Sequence, residues 1–267
     1  MAAYFDSLVH VTADGRWFNT SFDASEARLL REMDQAAVER AVVVALAGVI
    51  ANDFVLDVCR RHAGRLIPGA SLNPVAAPTA EVVASARGAL RDGPCEVLKL
   101  HPRLNAYDVL DAKVLALLDE MAGWSAAPPI WLDSLLYPKG VTMRLSPVAS
   151  VRHLAERYPG LRFMLLHAGG ASALAFFEAL ASLPNVMFDL SYSLTRYQAT
   201  SVALDHRFLT ERFDRRTAFG SDFPEVPIPD AVRALEALVD GLPEEKANNV
   251  RHGTLARLLD ERGGSPA

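Results

Sequence analysis

The stretch LRFMLLHAGG, residues 161–170, joins an apolar run to a polar end. The residues from Phe163 to Leu166 are all apolar, so both faces of the predicted strand are apolar. Such a strand is typical of a parallel sheet that is covered by helices. His167 follows the run directly, and Gly169 and Gly170 then permit a tight turn. This order of strand, polar residue and turn decides the fold, because it recurs along the chain.

Eight segments of this kind alternate with amphipathic helical patterns along the 267 residues. Eight strand–helix units in about 250 residues predict an α/β fold, the (β/α)8 TIM barrel. A doubly wound open sheet is the alternative. The predicted strands are YFDSLVHV, RAVVVALAG, RLIPGASLNP, EVLKLHPR, PPIWLDSLL, LRFMLLHAGG, NVMFDLSYS and TAFGSDFP. The predicted helices are Ser25–Val38, Asp53–His62, Thr79–Arg91, Asp108–Ala122, Ser146–Tyr158, Ala171–Leu183, Gln198–Phe213 and Asp230–Leu238.

The chain shows no internal boundary between domains. No linker, low-complexity tract or charge run divides it, so residues 1–262 are predicted to form a single domain. Residues 263–267 are predicted to be a loose tail. The stretch LPEEKANNVRHGTLARLL, residues 242–259, predicts extra C-terminal helices packed outside the barrel.

Composition excludes several classes of partner. The formal net charge is −5, which gives no basic field for nucleic acid. The longest apolar runs are too short to span a bilayer, so no membrane partner is expected. Two cysteines far apart in sequence, and no basic and apolar leader at the N-terminus, predict a cytoplasmic protein.

Several predicted strands end in a polar residue after an apolar run. The carboxyl ends of barrel strands form the catalytic face, so these side chains are expected to converge there. A charged group at such a position is costly unless it is paired, hydrogen-bonded or bound to a metal. The set therefore predicts a site for chemistry on a small molecule. Its members are His10, Lys99, His101, Asp133, His167, Asp189, Ser191 and Asp222.

Each of these residues also has a structural interpretation. Asp222 can cap the following turn, His167 can bond a core carbonyl, and Lys99 can belong to a buried ion pair. The long loops after the predicted strands add aromatic rings and cations, which suit a small planar or carboxylated substrate. These loop residues can instead close the barrel top or form a dimer contact. The candidate substrate-binding residues are Lys99, His101, Arg103, Trp17, Tyr137, Tyr192 and Arg196.

The motifs in these segments resemble those of the amidohydrolase superfamily, in its compact amidohydrolase-related or family 2 branch. FDSLVHV resembles the opening D-x-H-x-H strand, VLKLHPR resembles strand 4, and LLHAGG and FGSDFP resemble the motifs of strands 6 and 8. The similarity spans nearly the whole chain. It implies a TIM-barrel hydrolase that acts on an amide, lactone or imine-like carbon, or a relative that decarboxylates or hydrates. It also implies that two copies pair as a homodimer.

The resemblance further implies a divalent metal, Zn, Mn or Fe. The ligands would be two histidines of strand 1, a histidine of strand 5 and the aspartate of strand 8, with the strand 6 histidine ligating or orienting water. The metal would lower the pKa of that water, and Asp222 would move its proton. This sequence departs from the pattern at Leu8, which replaces the first histidine, and at Asp133, which replaces the strand 5 histidine.

Three interpretations stay open. A metal can be held by the remaining set of His10, Asp133, His167 and Asp222. A metal-free enzyme can use the same residues as acids and bases, while Lys99, His101 or Arg103 neutralises an anionic substrate or a developing oxyanion. A barrel without catalysis can bind a small molecule. We favour the metal-free enzyme, because leucine cannot bind a metal.

Overall fold

The computed structural model describes residues 3–135 and 140–260. Within them, eight parallel strands form one sheet in chain order, so each strand pairs with the next along the sequence. This order excludes the doubly wound alternative, in which the strand order reverses. The strands are β1 Tyr4–Val9, β2 Val38–Val44, β3 Leu66–Leu72, β4 Val97–Leu100, β5 Ile130–Asp133, β6 Phe163–Leu166, β7 Val186–Asp189 and β8 Thr217–Ala218.

Backbone hydrogen bonds between β1 and the chain around β8 close the barrel. Ser7 N donates to Phe219 O at 3.0 Å, and His10 N donates to Phe223 O at 2.8 Å. In the other direction, Asp222 N donates to Leu8 O at 3.0 Å. The predicted (β/α)8 TIM barrel is therefore confirmed.

The helices of the described residues alternate with the strands. Serines mark two helix starts, as the sequence predicts: Ser25 Oγ accepts from Arg28 N at 3.2 Å, and Ser146 Oγ accepts from Ala149 N at 3.3 Å. None of these helices is long and apolar enough to cross a membrane. They are α1 Glu26–Gln35, α2 Asn52–Arg61, α3 Thr79–Ala86, α4 Pro102–Asn105, α5 Ala112–Ala122, α6 Pro147–Arg157, α7 Ala173–Leu180, α8 Ser193–Arg196, α9 Val202–Arg212, α10 Ile228–Val239, α11 Glu244–Asn248 and α12 Thr254–Asp260.

Several predicted helices differ in their bounds: the helix predicted over Ser25–Val38 ends at Gln35, and Val38 already begins β2. The helix predicted over Thr79–Arg91 is α-helical only to Ala86 and continues as the π-helical turn Arg87–Arg91. The helix predicted over Asp108–Ala122 begins at Ala112, because the Asp111 side chain accepts a hydrogen bond from Lys113 N and so caps the helix there.

The core has an outer and an inner part. The larger part lies between the strands and the surrounding helices. The inner part fills the barrel and includes Phe5, Leu8 and Trp131, all of them buried. Trp131 Nε1 donates to Ser7 O at 2.8 Å, which ties β5 to β1 across the interior. Leu8 thus packs as an interior core residue.

The C-terminal helices have a different position from the one predicted. Leu255 and Leu258 of α12 join the inner core, where they pack with Phe5 and Val97 near the strand starts. Arg162 Nη1 donates to Leu258 O at 2.9 Å and fixes the helix there. Helix α12 therefore closes the amino end of the barrel rather than lying outside it. The predicted tail, residues 263–267, is outside the described residues.

Candidate active site

A cavity of ≈ 260 Å³ opens at the carboxyl ends of the strands. Most of the polar residues predicted from the strand ends meet there. Asp133, Asp189 and Ser191 are the exceptions, because they are fully buried and do not line the cavity. The lining residues are His10, Trp17, Phe18, Leu46, Lys99, His101, Arg103, Leu104, His167, Asp222 and Glu225.

His10 is held as a neutral imidazole. Its Nδ1 lies 2.6 Å from Val44 O, a carbonyl that can only accept, so Nδ1 carries the proton. The lone pair of Nε2 therefore faces Lys99 Nζ, 3.1 Å away. Trp17 stacks on the ring at 5.3 Å between centroids. Burial and the neighbouring Lys99 lower the pKa of His10 well below its usual range.

Lys99 is a buried amine that faces the cavity. Its residue is 2% exposed, and His10 Nε2 accepts one of its hydrogen bonds. Burial lowers the pKa of Lys99, while the nearby Asp222 and Asp133 carboxylates act in the opposite direction. The Lys99 amine thus has two carboxylates nearby and one hydrogen-bond acceptor, His10 Nε2, in direct contact.

Asp133 forms the centre of a group of donors. Its Oδ2 lies 3.4 Å from Arg103 Nη2, 3.4 Å from His167 Nε2 and 3.5 Å from His101 Nε2. Burial alone would raise the pKa of the Asp133 carboxyl, but His101, His167 and Arg103 hold it well below its usual value. Asp133 is therefore an ionised carboxylate held through Oδ2, whereas its buried Oδ1 has no hydrogen-bond partner among the described residues.

His167 is the cationic histidine of the site. Its Nδ1 lies 3.1 Å from Ser191 O and its Nε2 faces Asp133, so both ring nitrogens have acceptors. Burial opposes the charge, but the hydrogen bond to Asp133 and the nearby Asp222 raise the pKa of His167 above its ordinary value. The backbone of His167 has φ of 65°, which a non-glycine residue rarely adopts.

His101 differs from both of the other histidines. Its Nδ1 accepts from Leu104 N at 3.4 Å, so Nε2 carries the proton that points towards Asp133. Burial lowers the pKa of His101 to about 3. The three histidines of the site thus have three different hydrogen-bonding states.

Asp222 presents a free carboxylate to the cavity. Its Oδ1 lies 3.9 Å from His10 Nε2, and no residue of the described part donates a hydrogen bond to it. Burial raises the pKa of Asp222 to about 6, although His167 and Lys99 lower it in part. The residue has φ of 66° and is held by its N–H bond to Leu8 O. A carboxylate with a pKa near neutrality is suited to general base catalysis.

A buried polar network underlies these residues. Asp189 Oδ1 accepts from the backbone N–H groups of His167 and Ser191, each at 3.1 Å, and from the Ser191 hydroxyl. Asp189 Oδ2 accepts from the Ser7 hydroxyl. The network therefore holds the unusual backbone of His167 in place, with Asp189 as its centre.

Asp6 is a second buried carboxyl beneath the site. Its Oδ1 accepts from Leu8 N at 3.1 Å and from Ser221 N at 2.9 Å, so it supports the residue before Asp222. Burial raises the pKa of Asp6 to about 7, and the charge of Asp189 acts in the same direction.

The buried polar network packs closely against Gly220. A Cβ at this position would meet Asp189 Oδ2, Ser7 Oγ and Ser191 Cβ at less than contact distance. We expect Gly220→Ala to lower the free energy of unfolding by about 2 kcal/mol, because overpacking a dense interior has this order of cost. Urea unfolding followed by circular dichroism measures the change.

Gly88→Ala is the matched control, because a Cβ there has nothing within 4 Å. Gly88 lies in the helical turn Arg87–Arg91, where alanine is favoured over glycine, so the unfolding free energy should stay the same or rise by up to about 1 kcal/mol. Equal stability of the two variants would contradict the packing of Asp189 against Gly220.

The residues present do not fit a divalent metal. A histidine ligand must offer a free nitrogen lone pair. The Nε2 of His10 already accepts from Lys99, the Nδ1 of His101 accepts from Leu104 N, and both nitrogens of His167 face acceptors. Within residues 3–135 and 140–260, no three His, Cys, Asp or Glu side chains group so as to hold a metal ion. Of the four suggested ligands, His10, Asp133 and His167 are therefore already committed to other contacts, and only the Asp222 carboxylate is free of hydrogen bonds from the described residues.

Some predicted substrate-binding residues have other positions. Tyr192 packs edge-on against the His167 ring at 5.8 Å between centroids but does not line the cavity. Arg196 is exposed and also lies outside the lining. Tyr137 is outside the described residues. Sequence reasoning missed Glu225, which accepts from Trp17 Nε1 at 3.0 Å. Its position directly after the strand 8 motif was the signal that could have found it.

Comparisons with known proteins agree with this architecture. The sequence matches the family model described as Amidohydrolase over residues 9–260. No curated protein matches the chain significantly. An uncharacterized TIM-barrel protein from Bordetella bronchiseptica has a TM-score of 0.80 at 17% identity, with 98% of this chain and 100% of that chain covered.

Two further solved structures are of proteins named for an activity. A probable 2-pyrone-4,6-dicarboxylic acid hydrolase from Acinetobacter baumannii, with citric acid bound, has a TM-score of 0.66 at 14% identity, covering 96% of this chain and 99% of that chain. A 5-carboxyvanillate decarboxylase from Sphingomonas paucimobilis has a TM-score of 0.69 at 12% identity, covering 97% of this chain and 99% of that chain. At such identities the likeness shows a shared fold.

Proposed function

This chain belongs to the amidohydrolase family, and from that membership we propose that it is an acid–base hydrolase which acts on a small carboxylate-bearing molecule without a metal. The observation that carries the proposal is the free Asp222 carboxylate, which has a raised pKa and faces a cavity lined by cations. The histidine lone pairs that a metal would need are already used, which supports the metal-free reaction.

In this reaction Asp222 acts as the general base. Its ionised carboxylate takes a proton from a water molecule, and the water oxygen attacks the carbonyl carbon of an ester or lactone. The carbonyl oxygen gains negative charge, the bond to the leaving oxygen breaks, and Asp222 returns its proton to that oxygen. The carbonyl re-forms as the leaving oxygen departs, which gives a carboxylic acid and an alcohol. Among the described residues of the site, no other carboxylate is as free of hydrogen bonds as that of Asp222.

The cavity supports a small anionic substrate. Its volume of ≈ 260 Å³ fits a molecule of few atoms, and Arg103 places a half-exposed guanidinium at its wall. Trp17 and Phe18 add aromatic surface that suits a planar ring. Two structural neighbours are named for substrates of this class, a pyrone dicarboxylic acid and carboxyvanillate.

Decarboxylation is a second candidate, favoured by the imidazolium of His167. Loss of CO2 leaves an electron pair on the carbon, which must take up a proton. His167 lines the cavity, faces an acceptor at each ring nitrogen and has a raised pKa, so it is suited to supply that proton.

The test is a turnover screen of chelator-treated protein. Esters and lactones that carry a carboxylate are compared with analogues in which an amide replaces it, and aromatic carboxylic acids are assayed for CO2. We expect hydrolysis of a carboxylated compound, no turnover of its amide analogue, and no change on adding zinc. Activity that appears only with zinc would contradict the metal-free reaction, and CO2 release would establish the lyase.

A further inference from the structure

The side-chain amine of Lys99 donates a hydrogen bond to the Nε2 lone pair of His10. We propose that the Lys99 ammonium is the electrophilic group of the reaction and contacts the substrate oxygen on which negative charge develops. Lys99 is on β4, at the wall of the cavity. The inference rests on the proposed hydrolysis and names the group that stabilises its oxyanion.

The hydrogen-bonding capacity of Lys99 supports this role. An ammonium has three N–H donors, and His10 Nε2 accepts one of them at 3.1 Å. No other acceptor of the described residues bonds to Nζ, and Lys99 lines the cavity. Donors therefore remain for an oxygen inside the cavity. Because His10 is neutral and fixed by Val44 O, it orients the amine without cancelling its charge.

The other cations of the cavity are less available. Arg103 donates to Asp133 at 3.4 Å and its side chain is 48% exposed, so its charge is partly screened by water. His167 uses both ring nitrogens, towards Ser191 and Asp133. Lys99 alone among the cations lining the described cavity is both buried and incompletely bonded. Its charge acts in a poorly solvated place, where a donor to an oxyanion contributes most.

The carboxylates around Lys99 also argue against a purely structural ion pair. Asp222 and Asp133 are the carboxylates that act most strongly on the Lys99 amine. Neither of them forms a direct ion pair with Nζ. A buried ammonium that is held near anions without direct contact can bind an incoming anion with little reorganisation. The position next to Asp222 places the electrophile beside the proposed base.

The test uses two stable probes, each followed by isothermal titration calorimetry. Phenylphosphonate imitates the tetrahedral oxyanion, whereas benzoate imitates the ground-state carboxylate. We expect Lys99→Met to weaken phenylphosphonate binding by about 10²-fold, the order seen when one oxyanion donor is lost, and benzoate binding much less. Arg103→Met should weaken benzoate binding more than phenylphosphonate binding. Lys113→Met, a lysine that donates to Val75 O and Ala77 O away from the cavity, is the matched control and should bind both probes as wild type does.

A second measurement needs no variant. In the wild-type protein the ¹⁵N resonance of His10 Nε2 should move when phenylphosphonate binds, because Nζ then shares its donors with the ligand. Wild-type protein that fails to bind phenylphosphonate, Lys99→Met that binds it unchanged, or a His10 resonance that does not move would each overturn the role of Lys99. None of these results alters the chelator test, so the hydrolase proposal can stand or fail separately.

Discussion

Asp222→Asn should lower kcat by about 10²- to 10⁴-fold on any carboxylated ester or lactone that the wild-type protein hydrolyses. This is the usual contribution of a positioned general base. Asparagine keeps the size and shape of the side chain but cannot accept the proton of the attacking water. Because no described residue donates a hydrogen bond to the Asp222 carboxylate, the substitution breaks no such contact. Circular dichroism and steady-state kinetics measure fold and turnover together.

The pH profile provides an independent check of the same residue. Burial raises the pKa of Asp222 to about 6, and only the ionised carboxylate can act as base. The kcat/KM of the wild-type protein should therefore rise with pH through about 6 and level off above it. In Asp222→Asn the residual activity should lose this limb.

Asp230→Asn is the control for the loss of one carboxylate. Asp230 pairs with Arg233 at 3.1 Å on the surface, and its side chain is 51% exposed. Its turnover and pH profile should match those of the wild-type protein. Full activity of Asp222→Asn would remove Asp222 from the reaction and leave the site without its proposed base.

The sequence predicts which residues reach the site, because this depends on where the strands end and on the alternation of side chains along them. Side chains alternate along a strand, so Lys99 and His101 share one face of the β4 region, and Trp131 and Asp133 share one face of β5. In a barrel the inward faces of all strands meet, which brings these residues together. Leu8 lies two residues before His10 and so shares its face of β1, which makes the replacement of a histidine there visible in the sequence. The structure places Leu8 in the inner core.

The state of each residue depends on contacts between strands that no sequence pattern encodes. His167 is cationic because Asp133 and Ser191 O, from β5 and the end of β7, face its two nitrogens. His10 is neutral because the carbonyl of Val44 lies beside Nδ1. The sequence offered both Asp133 and Asp222 as candidates for the base. Only the three donors around Asp133 distinguish them, because they favour a counter-ion there.

Asp133→Asn should lower the free energy of unfolding by about 3 kcal/mol near neutral pH. Breaking a buried ion pair costs about 3–5 kcal/mol, and Asp133 is fully buried with donors on His101, Arg103 and His167. We expect the lower end of that range, because Arg103 is half exposed and can turn to water. The surface pair of Asp57 with Arg60 is the comparison, since its side chains are 62% and 68% exposed. Asp57→Asn should change stability by less than about 1 kcal/mol.

The pH dependence of this loss identifies the ion pair as its cause. The folded-state pKa of Asp133 is depressed, so its contribution is present above the ordinary value of 3.8 and is lost as pH falls further. The folded-state pKa of His167 is raised, so its contribution is present below the ordinary value of 6.5 and is lost as pH rises through the raised value. The difference between wild type and Asp133→Asn should therefore be largest between these two values. In the variant the pKa of His167, followed by its ring proton resonances, should fall. A difference that does not vary with pH would assign the loss to packing and remove the imidazolium that the lyase candidate requires.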